Sequence, residues 1–522
     1  MSATALLSPG IEAQSSSQSR EPGLDKCRHE VNYAQRKAIA RTLMQFDLLH
    51  IGTLVFLAHA LGVIAACHAI LHTRTSQGAI AWAVSLVAMP YLTLVPYLFL
   101  GRSKFAGYAD ARRLENETLR TRAHPPEWDT EASSHGRPTE ALGHHFVRSL
   151  TRLSGMPFLP GNHVRTLVNG EATFAAILDA IENAQRYIVV QFFIVRADAL
   201  GEMLKDALLA KAAQGLRVYV LYDSIGSFDL PHRYVASLLA GGVQMHPFAT
   251  NRQFVNRFQL NFRNHRKIVV VDGERAFVGG HNVGVEYLGG KPPLSPWRDT
   301  HIEVRGPAVA SIQFVFTEDW YWATQDLPHF DSPPPAGPGD GMHCLVVPTG
   351  PADKQETCSL FFVEAINAAR ERVWITTPYL VPDEAVFAAL RLAALRGVDV
   401  RILIPCRRDH RVVFEASKLY AYDSIRAGVR VFRYRPGFLH QKVVLIDDVA
   451  AAVGSANLDN RSFRLNFEIM VLTVDHGFAL EVEEMLLRDF AESFEIDRSE
   501  YRNAPALRRV LMHVARLFAP IL

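Results

Sequence analysis

Two short stretches of the chain repeat one arrangement of chemically capable side chains. The first is Asn264-His265-Arg266-Lys267, followed by Asp272, Gly279 and Asn282; the second is Leu439-His440-Gln441-Lys442, followed by Asp447, Gly454 and Asn457. Five positions share one displacement of 175 residues: 265 to 440, 267 to 442, 272 to 447, 279 to 454 and 282 to 457. A lone His-x-Lys is most often an exposed polar edge, whereas two copies with the same trailing Gly and Asn lie far beyond motif noise. On an extended backbone, His and Lys two apart point to one face and an Asp seven after the His points to the other. His265 with Lys267, and His440 with Lys442, therefore each share a site. Asp272 and Asp447 are kept in the catalytic set as its supporting members. Asp272-Gly273 and Asp447-Asp448 read as hairpin turns whose return strands end at Gly279 and Gly454.

An imidazole beside an ammonium and a carboxamide suits a phosphodiester. Lys267, Lys442, Asn282 and Asn457 can hold non-bridging phosphate oxygens while a neutral His attacks phosphorus. With two copies, one His serves as nucleophile and the other as the acid that protonates the leaving alkoxide, then as the base that activates the incoming alcohol. The internal symmetry leaves open which His does which. The motifs bring no cluster of carboxylates of the kind Mg²⁺ or Ca²⁺ requires, so neither metal nor cofactor is expected.

The elements around these motifs repeat as well. Leu204–Asp223, with Gly215, resembles Val386–Pro405, with Gly397: each reads as a helix, a glycine cap and a buried strand. From 162 to 496 apolar runs such as Tyr187–Val195 alternate with stretches of helical period, the pattern of an α/β domain. A Pro/Gly-rich break at 331–341 separates a first half, 162–330, from a second, 342–496.

Upstream, Leu48–Leu71 and Ala79–Leu100 contain no Asp, Glu, Lys or Arg and are each long enough to cross a bilayer as a helix. They predict a two-helix transmembrane hairpin over 46–101, after a disordered or loosely helical tail, 1–45, that does not read as a secretory signal, and before a linker, 102–161. Arg28, Arg36, Lys37 and Arg41 precede the first stretch, Arg102, Lys104, Arg112 and Arg113 follow the second, and only Arg74 lies between them. The positive-inside bias then puts both termini and the α/β region in the cytoplasm. The end of the chain, 497–522, repeats Leu507, Val510, Leu511, Val514, Leu517, Phe518 and Ile521 at helical spacing with Arg508, Arg509 and Arg516 among them. It reads as an amphipathic helix that either lies on an anionic bilayer or packs on the catalytic region.

A net charge of +2 excludes the overall basic field that would argue for nucleic acid, and five scattered Cys without C-x-x-C spacing suit neither a disulfide framework nor a zinc site.

The paired motifs resemble the signatures of the phospholipase D superfamily. Gly454–Glu468, Trp297–His301, Thr376–Tyr379 and the apolar stretch from Ala81-Trp82 to Gly101-Arg102 are similar to bacterial cardiolipin synthases, over roughly residues 45 to 520. The resemblance implies two phospholipase D-type α/β halves in one pseudo-symmetric unit and a two-step phosphatidyl transfer through a phosphatidyl-histidine, without metal. It implies phosphatidylglycerol and other phospholipids as partners, no nucleic acid, and a multi-pass place in the bacterial inner membrane. It also implies an acidic residue orienting each His, by position Glu468 and Asp299, and His265 as nucleophile. Hydrolysis in place of transfer, and phosphatidylethanolamine as co-substrate, stay open, as does the oligomeric state.

Overall fold

Tyr187–Phe192 and Val443–Ile446 are apolar at nearly every position because both of their faces are covered; every residue of each is buried. These strands belong to one continuous sheet in a computed structural model that describes residues 22–73, 75–101, 136–248, 261–290, 292–330 and 341–522. From one edge the sheet runs Ser493–Ile496, Arg430–Tyr434, Asp399–Pro405, Arg372–Thr376, Val443–Ile446, Ala450–Gly454, Asn466–Val474 and Met342–Thr349. It continues through Leu159–Val168, Thr300–Arg305, Arg275–Gly279, Ile268–Val271, Tyr187–Phe192, Arg217–Asp223 and Gln244–Phe248. Leaving aside the edge strand Ser493–Ile496, the second list mirrors the first strand for strand. The two halves are thus joined by the antiparallel contact of Leu159–Val168 with Met342–Thr349.

In each half a helix feeds the strand that follows through a left-handed glycine. Ala199–Ala213 passes through Gly215 into Arg217–Asp223, and Glu384–Leu395 passes through Gly397 into Asp399–Pro405, both glycines at φ 88°. The hairpin turns also match between halves: Asp272 (φ 55°) and Asp447 (φ 48°) adopt the left-handed conformation between Ile268–Val271 and Arg275–Gly279, and between Val443–Ile446 and Ala450–Gly454.

Part of the expected linker is structured. Its residues 102–135 lie outside those described, but Arg137–Leu142 and His144–Ser154 are helices, and Phe146, Val147 and Leu150 are buried in the main core. Each such side chain contributes about 1.5–3 kcal/mol by leaving water. Their helical spacing is the signal that the Pro- and His-rich flanks obscure.

The chain divides into two units, the smaller holding residues up to 71 and 76–95. In it, Pro22–His72 forms one helix, so the described part of the expected tail is helical and continuous with the apolar stretch. His50–His72 is long and apolar enough to cross a membrane, and among the described residues it is the one helix that is. The second stretch does not form the single span expected of it. It is parted at Met89 into Ser76–Ala88 and Pro90–Leu100. Pro90 has no N–H to offer the carbonyl of Leu86, and that carbonyl packs against Gly62, where a Cβ would stand 2.4 Å from it.

Candidate active site

The strand that opens each motif pairs with a segment of the opposite half. Arg263-Asn264 runs parallel to Asn466-Phe467, and the His265 amide donates to the Phe467 carbonyl at 2.9 Å. Phe438-Leu439 runs parallel to Trp297-Arg298, and the His440 amide donates to the Arg298 carbonyl at 2.7 Å. One residue further along these registers stand His265 beside Glu468 and His440 beside Asp299. Each histidine of one half therefore meets a carboxylate of the other. Glu468 Oε2 lies 2.9 Å from Nδ1 of His265, and Asp299 Oδ2 lies 2.7 Å from Nδ1 of His440.

A carboxylate on Nδ1 fixes the imidazole tautomer: Nδ1 carries the proton and Nε2 keeps its lone pair. Neither Nε2 bonds to any described residue, and both side chains are 10% exposed. Burial lowers the pKa of both rings to about 4, and the ammonium groups of Lys267 and Lys442 push the same way. The free site thus holds two neutral imidazoles near pH 7.

The lysines belong to the same site. Lys267 Nζ donates to the His265 carbonyl at 2.6 Å, and Lys442 Nζ donates to the His440 carbonyl while standing 2.9 Å from that ring's Nδ1. Each ammonium acts on the histidine of the opposite half as well as on its own. Burial brings Lys442 down to about 8 and Lys267 well below the usual range, although Asp299 and Glu468 oppose it. The carboxylates feel the reverse balance. Burial raises both, but the Lys442 ammonium and the hydrogen bond from His440 hold Asp299, and the hydrogen bond from His265 and the Lys267 ammonium hold Glu468, below the usual carboxylate range.

The supports of the two carboxylates differ. Glu468 accepts from Ser455 Oγ at 2.6 Å, Ser462 Oγ at 2.9 Å and Asn466 Nδ2 at 3.1 Å. Asp299 accepts from the Thr300 amide at 2.8 Å and lies against Gly280, where a Cβ would be 2.1 Å from its Oδ1. A neutral buried pair, His281 and His301, stands behind it with Nδ1 atoms 3.0 Å apart. Two buried ion pairs brace the crossing. Arg266 binds Asp319 and the Glu468 carbonyl, and Arg298 binds Asp489, which also accepts from Gln441.

Asp272 and Asp447, grouped above with the catalytic set, are not in the site. Each sits at the far end of the strand that the motif lysine precedes, five residues and roughly 16 Å away at strand rise. Asp272 accepts the amides of Gln185, Arg186 and Tyr187, and Asp447 those of Arg370, Glu371 and Arg372, so that each ties a hairpin turn to the start of the neighbouring strand. This is the opposite-face position that their parity dictates. Asn282 is held at both ends of its amide, and its Oδ1 accepts from the Ile194 amide at 3.1 Å. Asn282 Nδ2 donates to the Tyr287 hydroxyl at 2.9 Å, while Asn457 Oδ1 is buried without a hydrogen-bond partner.

Sequence reasoning missed Ser455, Ser462, Asn466, the His281–His301 pair and the crossing itself. One signal was present: at the shared 175-residue offset the first half has Gly280 where the second has Ser455.

A family described as the phospholipase D-like domain of cardiolipin synthase matches residues 177–291 and 362–490, and one described as a phospholipase D-nuclease N-terminal segment matches 60–102. Cardiolipin synthase A of Pseudomonas aeruginosa is 61% identical over 473 residues, 91% of this chain and 96% of that protein. Cardiolipin synthase A of Pseudomonas fluorescens is 58% identical over 464 residues, 89% of this chain and 97% of that protein. The crystal structure of phosphatidylserine synthase from Haemophilus influenzae aligns with a TM-score of 0.56 at 16% identity, covering 72% of this chain and all of that one, a likeness of fold.

Proposed function

The chain belongs to the cardiolipin synthase family of the phospholipase D superfamily, and we propose that it joins two phosphatidylglycerol molecules into cardiolipin and releases glycerol. The observation that carries this is the crossed pair of neutral imidazoles, each held on Nδ1 by a carboxylate and flanked by an ammonium.

In this mechanism Nε2 of His265 attacks the phosphorus of the first phosphatidylglycerol. The P–N bond forms as the bond to the glycerol oxygen breaks, and His440 gives its proton to that oxygen. His440 acquires this proton when the anionic phosphodiester binds, because the bound charge offsets the two ammonium groups that disfavour imidazolium. A hydroxyl of the second phosphatidylglycerol then attacks phosphorus, His440 takes its proton, and the P–N bond breaks to release cardiolipin and free His265. Lys267 and Lys442 face the charge on the non-bridging oxygens, with Asn282 and Asn457 beside them once their amides turn to the phosphate. Phosphatidylethanolamine as a co-substrate requires the same steps, and water in place of the second hydroxyl gives hydrolysis.

The membrane arrangement is also a proposal. His50–His72 crosses the bilayer and the two helices after it return, with both outer ends in the cytoplasm, in line with the Lys and Arg on either side. The two short helices, continuous but for Met89, reach across together.

The test is purified protein in phosphatidylglycerol vesicles, with lipid and glycerol both measured. Cardiolipin and glycerol in equal amounts are expected. Phosphatidic acid with glycerol and no cardiolipin would replace transfer by hydrolysis.

A further inference from the structure

The C-terminal helix Ala506–Leu517 docks on the catalytic unit by one side only. Met512, Ala515 and Ala519 are buried, Arg508 pairs with Glu415 at 3.4 Å, and Arg516 pairs with Asp423 at 2.8 Å and lies over the Tyr420 ring. Its opposite side carries Leu507, Val510, Leu511, Val514, Leu517 and Phe518, between 44% and 78% exposed. These six recur at i, i+3, i+4 and i+7, so they form one continuous stripe. The ion pairs fix the rotation of the helix and prevent the stripe from turning inward.

We propose that this stripe is seated in the acyl layer of an anionic phospholipid bilayer. Charge selects that occupant. From Asn503 to Leu522 there is no Asp or Glu, and Arg509, next in sequence to Val510 of the stripe, is exposed. Such a charge matches anionic head groups, whereas a second copy docked face to face would set arginine against arginine. A soluble face of six large apolar side chains would otherwise be an aggregation liability.

The seating reaches the site through two bonds. The Leu522 carbonyl accepts the Arg461 amide at 2.8 Å, in the short helix Asn460–Arg464, and Ser462 of that helix donates to Glu468. A helix held at head-group depth therefore sets the level of the histidine–carboxylate pair relative to the lipid phosphates. This part rests on the phosphatidyl-transfer reading; the seating does not.

The test uses the full chain in vesicles of phosphatidylglycerol and phosphatidylcholine, with a fluorescent amino acid in place of Val514. Quenching by doxyl-labelled lipid and shielding from iodide are expected. Iodide access without lipid quenching would overturn the proposal, as would shielding from both with chain-to-chain cross-links, which would indicate a second copy. In parallel, Val510→Glu with Val514→Glu should lower transfer on bilayer phosphatidylglycerol by about tenfold or more and leave turnover of a monomeric short-chain phosphatidylglycerol unchanged. Equal turnover on bilayers would overturn it. If the double variant misfolds or no transfer is found, the reporter still decides the seating alone.

Discussion

Glu468, from the second half, lies 2.9 Å from Nδ1 of His265, a residue of the first half 203 positions earlier. With its counterpart Asp299–His440 at 2.7 Å, it means that neither half holds a complete His–carboxylate pair by itself. The two halves are thus one site, and an insult to either carboxylate falls on the histidine of the other half.

Glu468→Gln and Asp299→Asn should each lower kcat by roughly 10³-fold with little change in binding, since an amide on Nδ1 favours the wrong tautomer while keeping the shape. Steady-state kinetics on phosphatidylglycerol, with circular dichroism to confirm folding, checks this. Activity within threefold of the parent in either variant would contradict the crossed assignment.

Much of this site was legible. The constant offset brings out His265, Lys267, His440 and Lys442, and parity separates Asp272 and Asp447 from them. The crossing was not legible, because it is made by two-residue strands, Arg263-Asn264 and Phe438-Leu439, too short to show any period. Their partners are chosen by the way the two sheets meet, which local sequence does not encode. The parting of the second apolar stretch at Met89 has a different cause. Its composition spans continuously, but Pro90 removes the amide that would carry the helix past Met89.

The Gly280–Ser455 difference gives an asymmetric prediction. Gly280→Ala places a methyl where the Asp299 carboxylate lies, displacing it from His440, and should cost about 10²-fold in turnover and about 1–3 kcal/mol in stability. Ser455→Ala removes one of several donors to Glu468 and should cost about tenfold or less. Kinetics and thermal unfolding of the two variants test the order, and a Ser455→Ala loss exceeding that of Gly280→Ala would contradict it.

The pH profile should fall on the alkaline side. Lys442 is brought down to about 8 by burial, so its ammonium is present below that pH and lost as pH rises through it, together with the charge that faces the phosphate. kcat/KM measured from pH 6 to about 10 should therefore decline with a midpoint near 8. A flat profile across that range would show that this charge is not needed.

Chelation should have little effect. The positive charge at the site comes from Lys267 and Lys442, and its two carboxylates are already engaged by histidine and by hydroxyl, amide or backbone donors. Transfer in EDTA should stay within about twofold of the untreated rate. Complete loss, restored by one divalent ion, would reverse that reading.

The most exposed assignment is the division of labour between the histidines. His265→Ala and His440→Ala should each lower turnover by several orders of magnitude, because nucleophile and proton donor act as a unit. Their intermediates should differ. With His265 as nucleophile, His265→Ala forms no covalent adduct with a phosphatidylglycerol analogue. His440→Ala forms one when the analogue carries a leaving group able to depart unprotonated, and then resolves it slowly for want of a base to activate the second hydroxyl. Mass spectrometry of the acid-labile phosphohistidine in both variants distinguishes the cases. An adduct on His440 exchanges the roles and keeps the chemistry, since each imidazole presents the same free Nε2 beside its own ammonium. Near-normal turnover in either single variant would instead remove the two-histidine site altogether.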